Sequence, residues 1–276
     1  MEQQSGASVD TVGTAKKCSA EEEGMEAEAS TLTYTDSHGN AEIIRLMLAV
    51  CGEPWQDKVA LDPEGAMYLH RREHFDRMAA AGILAFDQFP LLRIDGLNLV
   101  QKHAAVRYLA RKHGLYGTDN ADATQVDIVF DSLVDFAADG DARKQEKQDK
   151  YLPRIERVLR ASEGGYLVGG ALSLADVQLF YVLDYVAGGD EVPNPFWGDG
   201  SPAPADFLSA YPRTAAHCAM MQGMPRLSAY LAGAQRLPRA GPKGWVDRVK
   251  ATIPHLFEGR AYPMTSETWH YRSAPS

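Results

Sequence analysis

F-D-Q-F-P-L-L-R-I-D-G-L-N-L-V-Q-K, residues Phe86 to Lys102, is the stretch on which the fold turns. Two short apolar runs, Leu91 to Ile94 and Leu97 to Val100, flank Asp95-Gly96. That dipeptide suits a two-residue hairpin turn, whose central positions need φ > 0. Phe89-Pro90 stands just before the first run. A proline cannot donate to a ladder, so it marks a strand entry or edge, and this one is also the position in the chain best suited to a functional cis peptide. Gln101-Lys102 opens a helical pattern that runs to His113 and is closed by Gly114. A strand end feeding a helix N-terminus presents backbone N–H groups to a carboxylate or another anion. The expectation is a small anionic ligand lying across Phe89 to Lys102.

Working outward, Thr31 to Thr35 is β-prone, Asp36-Ser37-His38-Gly39 has turn chemistry, and Asn40 is a reasonable N-cap. Ala41 to Val50 reads as a largely buried helix with Arg45 as its main polar exception, stopped by Gly52. Trp55 to Leu61 reads as a strand, Asp62-Pro63-Glu64-Gly65 as a loop, and Met67 to Ala81 as a helix. The order β-α-β-α-β-β-α describes a small α/β domain. Beyond Thr118-Asp119-Asn120 helical periods dominate, with stripes at Val126, Phe130, Leu133, Ala137 and at Leu152, Ile155, Leu159. Ser173-Leu174-Ala175-Asp176 matches a capping box, with Ser173 and Asp176 closing reciprocal bonds. The helix it opens, Leu174 to Val186, is apolar nearly all round and should be the central buried helix. Residues 188–205 read as a long loop, Met220 to Leu231 as a last helix, and residues 237–276 as a segment of little period.

Composition bounds the function. A chain of 276 residues, 45% of them hydrophobic, can hold one large or two modest cores. Mean hydropathy is −0.30, and no run of about 18 apolar residues offers a membrane span. The N-terminus lacks the apolar stretch of a secretory signal. Three scattered cysteines, Cys18, Cys51 and Cys218, suit a reducing compartment and a cytoplasmic protein. Net charge is −9, of which residues 1–30 contribute −5 from seven acids and two lysines. That acidic segment reads as disordered, and the overall sign argues against nucleic acid as a partner.

Four segments, in order and at family spacing, resemble the cytosolic glutathione transferases of the sigma- and alpha-like tyrosine type. They are T-L-T-Y-T-D-S-H-G-N-A-E-I-I-R, G-I-L-A-F-D-Q-F-P-L-L-R-I-D-G, L-V-Q-K-H-A-A-V-R-Y-L and Y-L-V-G-G-A-L-S-L-A-D-V. The resemblance covers roughly residues 31–236 and implies a thioredoxin-like α/β domain over 31–113 and an all-α domain over 114–236. Residues 1–30 are then an acidic tail and 237–276 a C-terminal extension longer than the family usually carries. It further implies that Tyr34 donates its hydroxyl to the sulfur of glutathione, the co-substrate. Phe89, ahead of a cis Pro90, would pair its backbone with the cysteinyl unit. Gln88 and Gln101 would contact the peptide ends, and Asp127 the amine of glutathione in the other subunit of a homodimer. Phe86 matches an aromatic that alpha-class subunits insert into their partner. The implied reaction is attack of the thiolate on a small hydrophobic electrophile, a detoxifying conjugation.

The chemistry needs such a tyrosine. A free thiol has a pKa of about 8.5, so lowering it by about two units takes roughly 2.7 kcal/mol. One hydrogen bond to a charged acceptor supplies about 1.5–3 kcal/mol. The chain also departs from the family's pattern. Lys102 stands where Ser or Thr normally receives the γ-glutamyl carboxylate, a role an ammonium fills without the compact hydroxyl. Asn40 replaces an arginine near the sulfur, Ala79 a basic residue for the glycyl carboxylate (Arg77 or Arg72 being the substitutes), and Ala105 a large aliphatic side chain. Lys102, Asn40 and Ala79 keep open a second reading, a non-catalytic ligand-binding or structural relative, and L-T-Y with A-E-I-I-R keeps open a third, a sigma-like isomerase of the prostaglandin-synthase kind.

Two further patterns have bland readings beside sharp ones. Asp127, Asp131, Asp135 and Asp139 sit four apart, either as a solvated face or, for Asp127, with an interface or ligand-amine role. His70-Arg71-Arg72-Glu73-His74 matches H-x-x-E-H, with Glu146 as the imaginable third ligand, but its place before an ordinary helix favours a charged exposed face and no metal.

Overall fold

The computed structural model describes residues 29–34, 38–59, 77–86, 88–137, 144–187 and 206–237. Strand β1 (Ser30–Tyr34) lies between β2 (Trp55–Val59) and β3 (Leu91–Ile94), and β4 (Leu97–Leu99) closes the sheet in the order β2-β1-β3-β4. β1 and β2 are parallel; β1–β3 and β3–β4 are antiparallel. The hairpin turn is as the dipeptide requires, with Asp95 at φ 50° and Gly96 at φ 74°. The Phe89-Pro90 bond is cis, as expected. Of the expected Met67–Ala81 helix, residues 77–80 are helical and 67–76 lie outside the described residues, as do the H-x-x-E-H motif, the 188–205 loop and residues 1–28 and 238–276; Ser30, expected in the acidic tail, is the first residue of β1.

Helix α1 (Glu42–Cys51) follows a 3₁₀ turn, Gly39–Ala41, and ends at Gly52 in the left-handed region. There the Gly52 and Glu53 N–H groups donate to Ala49 and Leu48, so the last carbonyls are satisfied. Every residue from Glu42 to Ala49 is buried. Asn40 does not act as the N-cap the sequence suggested; no side chain caps this entrance, because the 3₁₀ turn leads directly into α1. Helix α2 (Lys102–Lys112) packs beside α1 and starts at Gln101, whose φ is 67°.

The helical half contains α3 (Asn120–Ala137), α4 (Lys144–Ala161), α5 (Leu174–Ala187), α6 (Pro212–Gln222) and α7 (Pro225–Ala232). Asp119 caps α3 by accepting from the Ala121 and Asp122 N–H groups. One core joins Leu32, Ile44, Val106, Phe130, Val177 and Leu227, so sheet, α1 and helical half share it. A second, with Leu133, Phe136, Leu152, Ile155 and Leu179, belongs to the helical half alone. The central buried helix is α5, as its apolar run implies.

Asp176 is the hub of α5. It accepts from the Ser173 N–H and hydroxyl at 2.8 Å each and from the Leu167 N–H at 2.8 Å, and it lies 3.0 Å from His217 Nε2 on α6. The expected reciprocity is only half present: the Ser173 hydroxyl donates to the carboxylate instead of accepting from the Asp176 N–H. A second buried acid, Glu156 of α4, accepts from the Arg213 and Thr214 N–H groups and so caps α6 from another helix. Asp176→Ala strands Ser173, Leu167 and His217 in the interior. At about 1–3 kcal/mol for each buried group left unpaired, the expected loss is about 3–5 kcal/mol, read from the urea midpoint. Asp176→Asn, which keeps one oxygen, should lose less.

Candidate active site

The sheet register gathers the site. Thr33 pairs with Leu91, so the end of β1 at Tyr34 and the start of β3 at Pro90 lie at one edge of the sheet. β4 runs back to that same edge, because Leu99 pairs with Leu92, and delivers Gln101 and Lys102. Gln101 Nε2 donates to Gln88 Oε1 at 2.7 Å, tying the residue two before the cis proline to the start of α2. Tyr34, Gln88, Phe89, Pro90, Gln101 and Lys102 are thus drawn to one end of the sheet by its topology.

The turn after β1 shapes that end. The Asn40 N–H donates to the Tyr34 hydroxyl oxygen at 3.2 Å. Gly39 lies flat against the phenol: a Cβ there would stand 2.7 Å from Tyr34 Cε1 and 2.8 Å from its oxygen, and the backbone φ of +40° is one that L side chains rarely adopt. Tyr181 of α5 donates to the Gly39 carbonyl at 3.4 Å, so the helical half also touches this turn. Lys102 reaches across to donate from Nζ to Asn40 Oδ1 at 2.7 Å. Burial lowers the Lys102 pKa to about 8. Burial, with Lys102 and Arg107 nearby, takes the adjacent His103 to about 4, so that ring is neutral at pH 7.

Asp127 belongs to a different group. It accepts from Arg107 Nε at 2.9 Å and from the Tyr116 hydroxyl at 2.6 Å, while Arg107 also bridges to Asp131 at 2.6 Å. Burial opposes the Asp127 charge, and the Tyr116 and Arg107 hydrogen bonds outweigh it, leaving its pKa below the usual aspartate value. Of the α3 acids, Asp131 and Asp135 are exposed and Asp127 is half-buried, and one guanidinium pairs with Asp127 and Asp131, while Asp139 lies outside the described residues. Arg77 and Ala79 lie on the helical turn 77–80, and Arg72 lies outside the described residues.

Sequence reasoning missed the contact roles of Asn40, Gly39 and Tyr181. The D-S-H-G turn signal contained Gly39, but nothing local announces that its bare Cα makes room for a phenol. Burial raises the thiols of Cys51 and Cys218 to about 12, so neither is a ready nucleophile. Among the described residues no cluster of His, Cys, Asp or Glu could hold a metal, and no helix is long and apolar enough to cross a membrane.

Three comparisons bear on this geometry. The family described as "Glutathione S-transferase, C-terminal domain" matches residues 127–234. Glutathione S-transferase A5 of Homo sapiens is 29% identical over 228 residues, covering 77% of this chain and 92% of the relative. Glutathione S-transferase alpha M14 of Sus scrofa is 33% identical over 170 residues, covering 56% of this chain and 72% of the relative. The crystal structure of monomeric Na-GST-3, from the hookworm Necator americanus, superposes with a TM-score of 0.56 at 25% identity, covering 73% of this chain and 95% of that one.

Two outcomes follow from the geometry. Gly39→Ala is expected to cost about 1–3 kcal/mol in urea unfolding, from the positive φ and the collision with the phenol together. The Lys102 pKa of about 8 lies below its ordinary 10.5. The unfolded chain therefore holds that proton more tightly, and the burial penalty is full below pH 8 and lifts as pH rises from 8 to 10.5. Lys102→Met should raise the Tm at pH 7, by about 2–4 °C for each kcal/mol relieved, and its advantage should vanish by the top of that window.

Proposed function

The chain belongs to the glutathione S-transferase family, and we propose that it joins the thiolate of glutathione to small hydrophobic electrophiles at the Tyr34 edge of the sheet. The supporting observation is the convergence of a phenol, a cis-proline loop and a helix N-terminus at that edge. The backbone beside Phe89 and cis Pro90 suits the cysteinyl unit, paired there like an added strand. Gln88 and Gln101, already bonded to one another, face the peptide ends with the first N–H groups of α2 behind them. Tyr34 donates to the sulfur. Acceptance of the Asn40 N–H polarises its O–H as a donor. The electrophile lies on the side of the turn that Tyr181 touches, and which electrophile it is depends on variable helical surfaces.

In this reading residues 31–113 bind glutathione, residues 114–236 provide the second pocket, and the protein is cytoplasmic. Phe86 is 70% exposed and Ile128 53%, which suits a homodimer covering both. Asp127 would meet a partner's ligand only by sharing the Arg107 and Tyr116 contacts it already has. The transferase names of the relatives favour conjugation over a non-catalytic carrier or a prostaglandin-type isomerase.

Tyr34→Phe should leave glutathione affinity within about threefold and lower turnover by about 10–100-fold, the equivalent of one hydrogen bond to a charged acceptor. Calorimetry in two buffers of different ionisation enthalpy should show proton release on glutathione binding near neutral pH, lost in the Phe variant. Unchanged turnover in that variant would remove Tyr34 from the chemistry.

A further inference from the structure

Among the described residues, Lys102 is a cation without an anion. Its Nζ donates to the neutral Asn40 amide at 2.7 Å, and among the described residues it has no carboxylate partner. Its own helix offers no help, because Lys102 is the first residue of α2 and the positive end of a helix dipole disfavours an ammonium. A half-buried ammonium in that position would be stabilised by a negative charge brought by a ligand. Glutathione brings two kinds of negative charge, carboxylate and thiolate, and the seat of the ammonium separates them. The residue that holds it, Asn40, is the same one whose N–H touches the Tyr34 hydroxyl. The carboxylate end has other donors in Gln88, Gln101 and the start of α2.

We propose that Lys102 serves the sulfur end of the site, where its ammonium, seated on Asn40 beside Tyr34, is the second donor to the glutathione thiolate. Asn40 is then a positioning residue. This assignment rests on the glutathione reading above. The step is electrostatic: the thiol S–H bond breaks, its proton passes to solvent, and Lys102 stays protonated while it stabilises the sulfur anion. The chain thereby carries at position 102 a charge for which position 40 has only an amide.

The test separates the two ends of the ligand. S-methylglutathione keeps both carboxylates and cannot form a thiolate. For Lys102→Met, the ultraviolet absorbance of the bound thiolate should titrate at least one pH unit higher than in the parent, about tenfold less thiolate at a fixed lower pH. The calorimetric Kd for S-methylglutathione should move less than about threefold. Lys102→Arg should recover most of the shift, and Asn40→Ala, which removes the seat and keeps the charge, should show a smaller shift in the same direction. Tenfold weaker S-methylglutathione binding by the Met variant with an unchanged thiol titration would make Lys102 a carboxylate anchor and overturn the assignment. No change in either quantity would overturn it too. A parent protein that binds neither ligand at millimolar concentration would instead dispose of the glutathione reading itself.

Discussion

Two opposite charges inside helix α1 constrain much of this structure. Glu42 and Arg45 are each 1% exposed, and buried charges persist only when they are paired and hydrogen-bonded. Arg45 finds Asp57 on β2 at 2.8 Å, an aspartate also held by the Trp55 indole. Glu42 accepts from the Tyr230 hydroxyl at 2.9 Å and lies 3.6 Å from Arg236, which in turn pairs with Asp184 of α5 at 2.7 Å. Burial nevertheless pushes the Glu42 pKa up. Satisfying one turn of α1 therefore enlists β2, α5, α7 and the residues just beyond it. The sheet and the helical half are fixed to one another by polar need as well as by their common apolar core.

The same turn fixes the site. Tyr34 ends β1, Asn40 precedes α1 by two residues, and Glu42 is the first residue of α1. Asn40 is held on one side by the Tyr34 hydroxyl and stands two residues ahead of the buried ion network that begins at Glu42. Gly39 lets the phenol lie against the backbone, and Tyr181 braces the turn from the far half. Preorganisation of this kind matters because a donor aimed at a developing charge works only if it need not be reoriented during the reaction.

The backbone events were legible because they are local. Asp-Gly between two apolar runs and Ser-x-x-Asp before an apolar helix each act within a few residues, and the hairpin and the α5 cap follow from them, whereas the cis bond at Pro90 was implied by the family resemblance. What escaped reading joins residues far apart. Arg45 looked like a polar exception on a buried face because its partner is on β2 and that of Glu42 is 188 residues away. Glu156 caps a helix 57 residues downstream, which no capping pattern can announce. Asn40 has the composition of an N-cap, yet its side chain is drawn to a lysine 62 residues on. Arg45 and Glu156 keep local partners in Glu42 and Arg160 and add distant ones, whereas at Asn40 the local capping option is lost to the tertiary partner.

Positions 40 and 102 are best considered together for that reason. Taken singly, an amide at 40 lacks a charge near the sulfur and a lysine at 102 is bulky for a carboxylate seat. In contact, they are one unit, an ammonium oriented by an amide. Such a unit is costly, since burial lowers the Lys102 pKa to about 8 and so works against its charge. A penalty of that kind is tolerable where the ligand supplies the missing counter-charge. Local inconsistency within an otherwise self-consistent fold tends to mark function, and here it falls at the sheet edge where the phenol, the cis proline and the start of α2 converge.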